Sequence, residues 1–218
     1  MASTQVAGGE ATRRRLRPDK REAILRAAGE IFDIEGYERT SIDAVAAKSG
    51  VSKPTIYNHF GSKEQLFRDH VAFTAQVINA RTSAAVHEID PDCVQWREVL
   101  RHAALQLAEC QRSDCSISLN RQLHAAVGRD PEVYQYVLDN AAGPILAMLA
   151  DKFARLGETG RLDVADPDLT ARQFLALISA ELPEMSRLGT VAIDDESFTR
   201  AVDAGYETFL RAFASRPP

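Results

Sequence analysis

Apolar residues recur at helical spacing along most of the chain, and turn residues divide the pattern into segments. Ile24, Leu25, Ala28, Ile31 and Phe32 keep the 3.6-residue period. They predict a first helix opened by Pro18-Asp19 and ended by Glu35-Gly36. Thr40 is placed to cap a short second helix with Ile42, Val45 and Ala46 inward, which stops at Lys48-Ser49-Gly50. Val51 follows as an apolar pin for the turn. Ser52 is placed to cap a third helix, with Pro54 in its first turn, where a missing N–H costs little, and Ile56 and Phe60 inward. Gly61 closes it. Ser62-Lys63-Glu64-Gln65 then reads as a capping box opening a long helix to about Val86, which carries Leu66, Phe67, Val71, Phe73, Val77 and Ile78.

Beyond it, three starts share one punctuation: Asp90-Pro91-Asp92, Asp130-Pro131-Glu132 and Asp166-Pro167-Asp168. Asp at the cap, Pro at the first helical position and an acid next suit a helix N-terminus. They predict helices near 91–110, 131–156 and 167–187, a shorter one near 116–128 and a last one near 195–214. Gly143-Pro144 lies inside the third of these and should kink it. No stretch alternates, so the expected class is all-α, with nine helices and no sheet. Residues 1–17 lack periodicity and read as a disordered tail. Their cluster Arg13-Arg14-Arg15 and Arg17 is either solvated or an arm that follows phosphates.

Two short helices joined by a Gly-containing turn, the second polar and aromatic on its outer side, form a helix-turn-helix. The run SIDAVAAKSGVSKPTIYNHFGSKEQLF resembles the DNA-binding signature of the TetR family of transcriptional regulators, with the likeness extending from Lys20 to Phe67. A weaker resemblance links DPEVYQYVLDNAAGPILAMLADKFARLGETGRLDVADPDLTARQFLAL to the C-terminal domain of AefR-type repressors in the same family. Together they imply a basic tail (1–17), a three-helix DNA-binding head (18–65) and a six-helix ligand-sensing and dimerisation domain (66–218).

Composition narrows the alternatives. A chain that is 45% hydrophobic and 26% charged is ordinary for a soluble globular protein. No apolar run approaches a membrane span, and the N-terminal stretch lacks the apolar core of a secretory signal. Three cysteines at irregular spacing suit a reducing cytoplasm rather than a disulfide framework; Cys110 and Cys115, five apart across the Arg112-Ser113-Asp114 turn, are either a redox pair or, as cysteines commonly are, small core residues. The net charge of −5 is uneven: residues 1–70 carry 12 Lys+Arg against 10 Asp+Glu, a balance of +2, and the remainder carries −7. That distribution suits a protein touching phosphate only through its head. His102 and His124 lack a second ligand at metal spacing, and neither a nucleophile elbow nor a phosphate loop is present. No cofactor, metal or catalysis is expected.

On this resemblance Thr40, Tyr57 and Lys63 meet phosphates, and Lys53, Pro54 and Thr55 meet base edges; Ser52 and His59 belong to the same surface. The wide apolar faces of the last two long helices supply a candidate dimer interface: Phe174, Ile178, Leu182, Met185, Phe198, Val202, Tyr206 and Phe209. The alternative is that both faces cover the monomer's own core. An effector pocket for an apolar or aromatic molecule is expected from Phe73, Val77, Trp96, Leu100, Leu119, Leu123, Met148 and Phe174, with Arg121, His124 and Glu181 as inward polar groups. The expected function is a cytoplasmic, dimeric repressor that binds a palindromic operator and is released by a small molecule. The alternatives are an activator of the same fold and a helical small-molecule-binding protein that no longer binds DNA.

Overall fold

The computed structural model describes residues 9–128 and 130–215, with side chains at 20–128, 130–139 and 142–215. Eleven α-helices follow one another among them: α1 Gly9–Arg39, α2 Ile42–Ser49, α3 Lys53–Phe60, α4 Lys63–His87, α5 Trp96–Arg112, α6 Asp114–Ala126, α7 Pro131–Val137, α8 Gly143–Glu158, α9 Pro167–Ser179, α10 Leu182–Met185 and α11 Asp195–Phe213. A π-helical turn, Leu138–Ala142, joins α7 to α8. One isolated bridge, Leu162 to Ala214, is the only β pairing among the described residues, so the class is all-α as expected. No helix among them is long and apolar enough to cross a membrane.

The chain forms two compact units, dividing between Phe73 and Thr74. In the first, α1 packs on α2 and α2 on α3. Ile24, Leu25, Ala28, Ile31, Phe32, Ile42, Val45, Ile56, Phe60, Leu66, Phe67 and Val71 are buried. Fully burying such a side chain is worth roughly 1.5–3 kcal/mol, enough for a small set to hold short helices together. Phe67 meets Phe32 and Tyr37 edge-on, at 5.1 and 5.2 Å between ring centroids. Gly29 lies so close to His70 that a Cβ there would come within 2.2 Å of the imidazole. Gly36, with φ +76° and ψ 164°, breaks α1 where Glu35-Gly36 predicts its end.

The start of α1 differs from expectation. Its backbone is helical from Gly9, within the stretch read as a tail, and Pro18 lies inside the helix instead of opening it. Glu10, Ala11, the arginines and Leu16 are good helix formers, and adding turns to an already nucleated helix costs little. The side chains of the arginine cluster lie outside the described residues.

In the second unit α9 packs on α8, α11 and α5. At the centre Phe153, Phe174 and Phe209 are fully buried, with centroids 4.9–5.3 Å apart. Gly205 sits where α11 crosses α9: a Cβ there would lie 2.1 Å from the Leu177 carbonyl oxygen. Two expected helices are subdivided. The 131–156 helix contains the π turn, in which the Gly143 N–H bonds the Leu138 carbonyl. Pro144 has no N–H to give, and the wider turn absorbs the loss. A side chain at 143 would crowd Leu138 O at 3.0 Å, which explains the glycine. The 167–187 helix ends at Ser179, and Leu182–Met185 forms a separate short turn.

Asp90-Pro91-Asp92 does not open α5, which begins only at Trp96. Asp90 Oδ1 accepts the Asp92 N–H at 2.9 Å, a local turn. Tertiary bonds hold the segment: Arg161 donates to the carbonyls of Pro91 and Asp92, Arg155 pairs with Asp92, and Lys152 donates to Ile89 O. At Asp166 the predicted cap forms, its carboxylate accepting from Leu169 N at 3.0 Å.

Candidate nucleic-acid interface

The helix-turn-helix forms as its sequence dictates, with one cap reassigned. Ser41, not Thr40, caps α2, accepting the Ala44 N–H at 3.1 Å. Gly50 adopts the left-handed conformation, φ 69° and ψ 23°, and both Gly50 and Val51 N–H groups bond Ala46 O. Ser52 caps α3 through Thr55 N and also bonds the Thr55 hydroxyl at 2.8 Å. With Ile56 and Phe60 buried, Ser52, Lys53, Pro54, Tyr57 and Asn58 are exposed and Thr55 and His59 half-buried. Asn58 is absent from the predicted set. Its position opposite Ile56 and Phe60 at the 3.6 period was the signal for it.

Three side chains of this surface have engagements that sequence does not reveal. The Lys53 ammonium forms a 2.9 Å ion pair with Asp43 of α2, and this hydrogen bond raises its pKa. Lys63 donates to the Glu38 carbonyl at 3.0 Å and sits over the Tyr37 ring, 4.5 Å from its centroid. An ammonium has three N–H groups, so donors remain for a phosphate. Tyr37 in turn donates to Glu64 Oε1 at 2.8 Å. The Glu64 pKa is lowered, first by its backbone N–H and then by the Tyr37 hydroxyl. Tyr37 therefore packs, as expected, and also positions Lys63.

Thr40 is corrected. It is 3% exposed and its hydroxyl donates to Gly36 O at 2.8 Å. A hydroxyl has one hydrogen and a phosphate only accepts, so Thr40 would have to release Gly36 to meet a phosphate. The neighbouring exposed hydroxyl is Ser41.

The dimer-interface assignment is also corrected. Phe174, Ile178, Leu182, Phe198, Val202, Tyr206 and Phe209 are buried within the chain's own core, and half-buried Met185 packs against it. Both apolar stripes pack against α5, α8 and each other, the arrangement of the alternative stated for them.

The effector set is brought together only in part. Arg121, His124 and Glu181 are exposed, and none points into the core as expected. The inward face of α6 runs Leu119, Gln122, Leu123 and Ala126, so the buried polar residue is Gln122, one position from Arg121. Its Nε2 bonds Ser118 Oγ at 3.1 Å and its Oε1 has no hydrogen-bond partner among the described residues. Trp96, Leu100, Leu119, Leu123 and Phe174 are buried, Met148 is half-buried and Val77 is exposed. Phe73 belongs to the first unit, where the Arg26 guanidinium lies 5.3 Å from its ring. Cys93, Cys110 and Cys115 are free thiols, and no group of three potential metal ligands occurs among the described residues.

Known proteins share these features. Residues 24–69 match the family model for bacterial regulatory proteins of the tetR family, and residues 98–215 match that for the C-terminal domain of AefR-like transcriptional repressors. The HTH-type transcriptional regulator YhgD of Bacillus subtilis (strain 168) is 27% identical over 162 residues, 74% of this chain and 82% of its own. The crystal structure of a TetR-family regulator from Mesorhizobium loti MAFF303099 superposes with a TM-score of 0.82 at 26% identity, covering 90% of this chain and 98% of that one. The flavonoid-responsive regulator FrrA superposes with a TM-score of 0.69 at 28% identity, over 92% of this chain and 100% of its own. With the second model alone spanning more than half of its length, the chain belongs to the TetR family of helix-turn-helix transcriptional regulators.

Proposed function

We propose that this regulator is a cytoplasmic homodimeric repressor that binds a palindromic operator through α3 and is released by a small molecule. The observation that carries the DNA-facing part is the outer surface of α3, where Lys53, Pro54, Tyr57 and Asn58 are exposed opposite buried Ile56 and Phe60. Tyr57 and Lys63 meet phosphates; Lys53, Pro54, Thr55 and Asn58 meet base edges, with asparagine suited to adenine and the Pro54 and Thr55 carbons to a thymine methyl. Ser41 replaces Thr40 beside them. One such unit reads few base pairs, so two related by a two-fold axis are required.

Repression is supported by the AefR-like repressor match of the body. The alternative, activation, uses the same head and differs only in where the operator lies. Release by a small molecule is supported by the structural likeness to a flavonoid-responsive regulator and by the Gln122 amide oxygen, buried in the body with no hydrogen-bond partner among the described residues. A hydroxylated aromatic molecule would offer that oxygen a donor. Binding, not catalysis, is the chemistry these residues supply.

Selection of duplexes from a random pool, followed by salt titration, tests the reading. The enriched site should be an inverted repeat. Lys63→Ala should weaken binding to all duplexes and flatten the slope of log K against log salt by about one. Unchanged affinity in both Tyr57→Ala and Lys63→Ala would overturn the interface. A flavonoid panel should release wild-type protein from the enriched duplex, and Gln122→Leu should respond less while binding the duplex equally.

A further inference from the structure

We propose that Asp43 is a specificity-determining positioning residue, which holds Lys53 in an ion pair on non-cognate DNA and yields it to a base edge only at a cognate site. The inference rests on the DNA-binding reading above and deepens it. Asp43 is the only acid between Ile42 and Phe60, the two helices and turn that form the DNA-facing motif. Its carboxylate is 71% exposed and lies 2.9 Å from the Lys53 ammonium, itself 47% exposed on the first residue of α3. A carboxylate on a surface that approaches phosphates weakens binding by repulsion. Its place there is accounted for by the lysine it engages.

The pair divides DNA into two cases. On non-cognate duplex the protein makes phosphate contacts, and a lysine neutralised by Asp43 displaces no counterion, so it adds nothing to affinity or to the salt slope. At a cognate site guanine O6 and N7 present two acceptors that replace the carboxylate. Exposed ion pairs are weak because water and salt screen them, so the exchange is readily made. Asp43 thus lowers affinity for the many wrong sites and leaves the right one nearly untouched.

A double-mutant cycle with full-length protein tests this on two probes, a random-sequence duplex and a duplex enriched by the wild type, each over a salt series. Asp43→Asn should bind the random duplex roughly 3–10-fold tighter with a slope steeper by about one, while the enriched duplex changes by less than about twofold. In the Lys53→Ala background, where Asp43 has no partner, Asp43→Asn should relieve the same repulsion on both duplexes, which tighten by equal factors. Equal tightening of both duplexes while Lys53 is present would mean that Asp43 acts only as a general negative charge, and the proposal falls. Loss of affinity for the enriched duplex alone would mean that Asp43 reads a base itself, which also overturns it. A wild type without salt-dependent binding to either duplex would instead sink the DNA-binding reading, and the gate with it.

Discussion

The DNA-binding head and the second unit are built from the same amphipathic helices but use their polar positions in opposite ways. In the head a small core, with Ile56 and Phe60 on α3, leaves the other side of each short helix in solvent. The residues that face outward are those available for a partner. In the second unit α9 is enclosed by α8, α5 and α11, and the apolar stripes that look like an interface are consumed by neighbours of the same chain. A stripe on a helix says that something covers it, but not whether the cover is the same chain or another.

The sharpest way to break this comparison is a charge at its centre. Phe209→Glu places a carboxylate beside Phe153 and Phe174 at a site that is fully buried. A loss of roughly 4 kcal/mol or more is expected, seen as loss of helical circular dichroism. A variant that stays fully helical and becomes monomeric would return Phe209 to the interface.

Next in size are two identical substitutions, one in each unit. Gly205→Ala drives a methyl against the Leu177 backbone, which cannot rotate away, and should destabilise the second unit by about 2–3 kcal/mol in urea unfolding. Gly29→Ala meets the His70 side chain instead, and a cost nearer 1–2 kcal/mol is expected for the head. Equal costs would show that the helix crossing at Gly205 relaxes as easily as a ring does.

A smaller effect separates the units by pH. Burial pushes the Tyr206 phenol up to about 12, and its hydroxyl donates to Arg97 O at 2.5 Å. The folded chain therefore favours the neutral phenol. The stabilisation is complete below pH about 10, the ordinary phenol value, and is lost as pH rises through about 12. Tyr206→Phe should cost about 1 kcal/mol at neutral pH and flatten the decline over that window. A decline identical to wild type would assign alkaline unfolding to other groups. Smallest of all, Lys63→Ala should shift stability by less than about 0.5 kcal/mol while still changing the salt dependence of DNA binding. A large stability loss would make Lys63 a structural lysine through Tyr37 and Glu38.

The head was legible in the sequence because its determinants are local: Gly50 in a left-handed turn, Ser52 and Ser62 as caps, and Ile56 and Phe60 one turn apart. Each acts within four residues and needs no knowledge of the rest of the chain. The polar residue inside α6 was assigned to Arg121 and His124 instead, although Gln122 follows Leu119 by three positions and those two fall off that face. The three-dimensional arrangement alone decided the rest. Thr40 turned its hydroxyl to Gly36, Asp43 met Lys53 across ten residues, and Asp90-Pro91-Asp92 was drawn from a helix start into a loop by Arg161 and Arg155 from about seventy residues away. The fate of Phe174 and Phe209 was decided in the same way. Periodicity fixes which face of a helix is apolar, whereas the partner of that face depends on contacts between segments distant in sequence, which only packing selects.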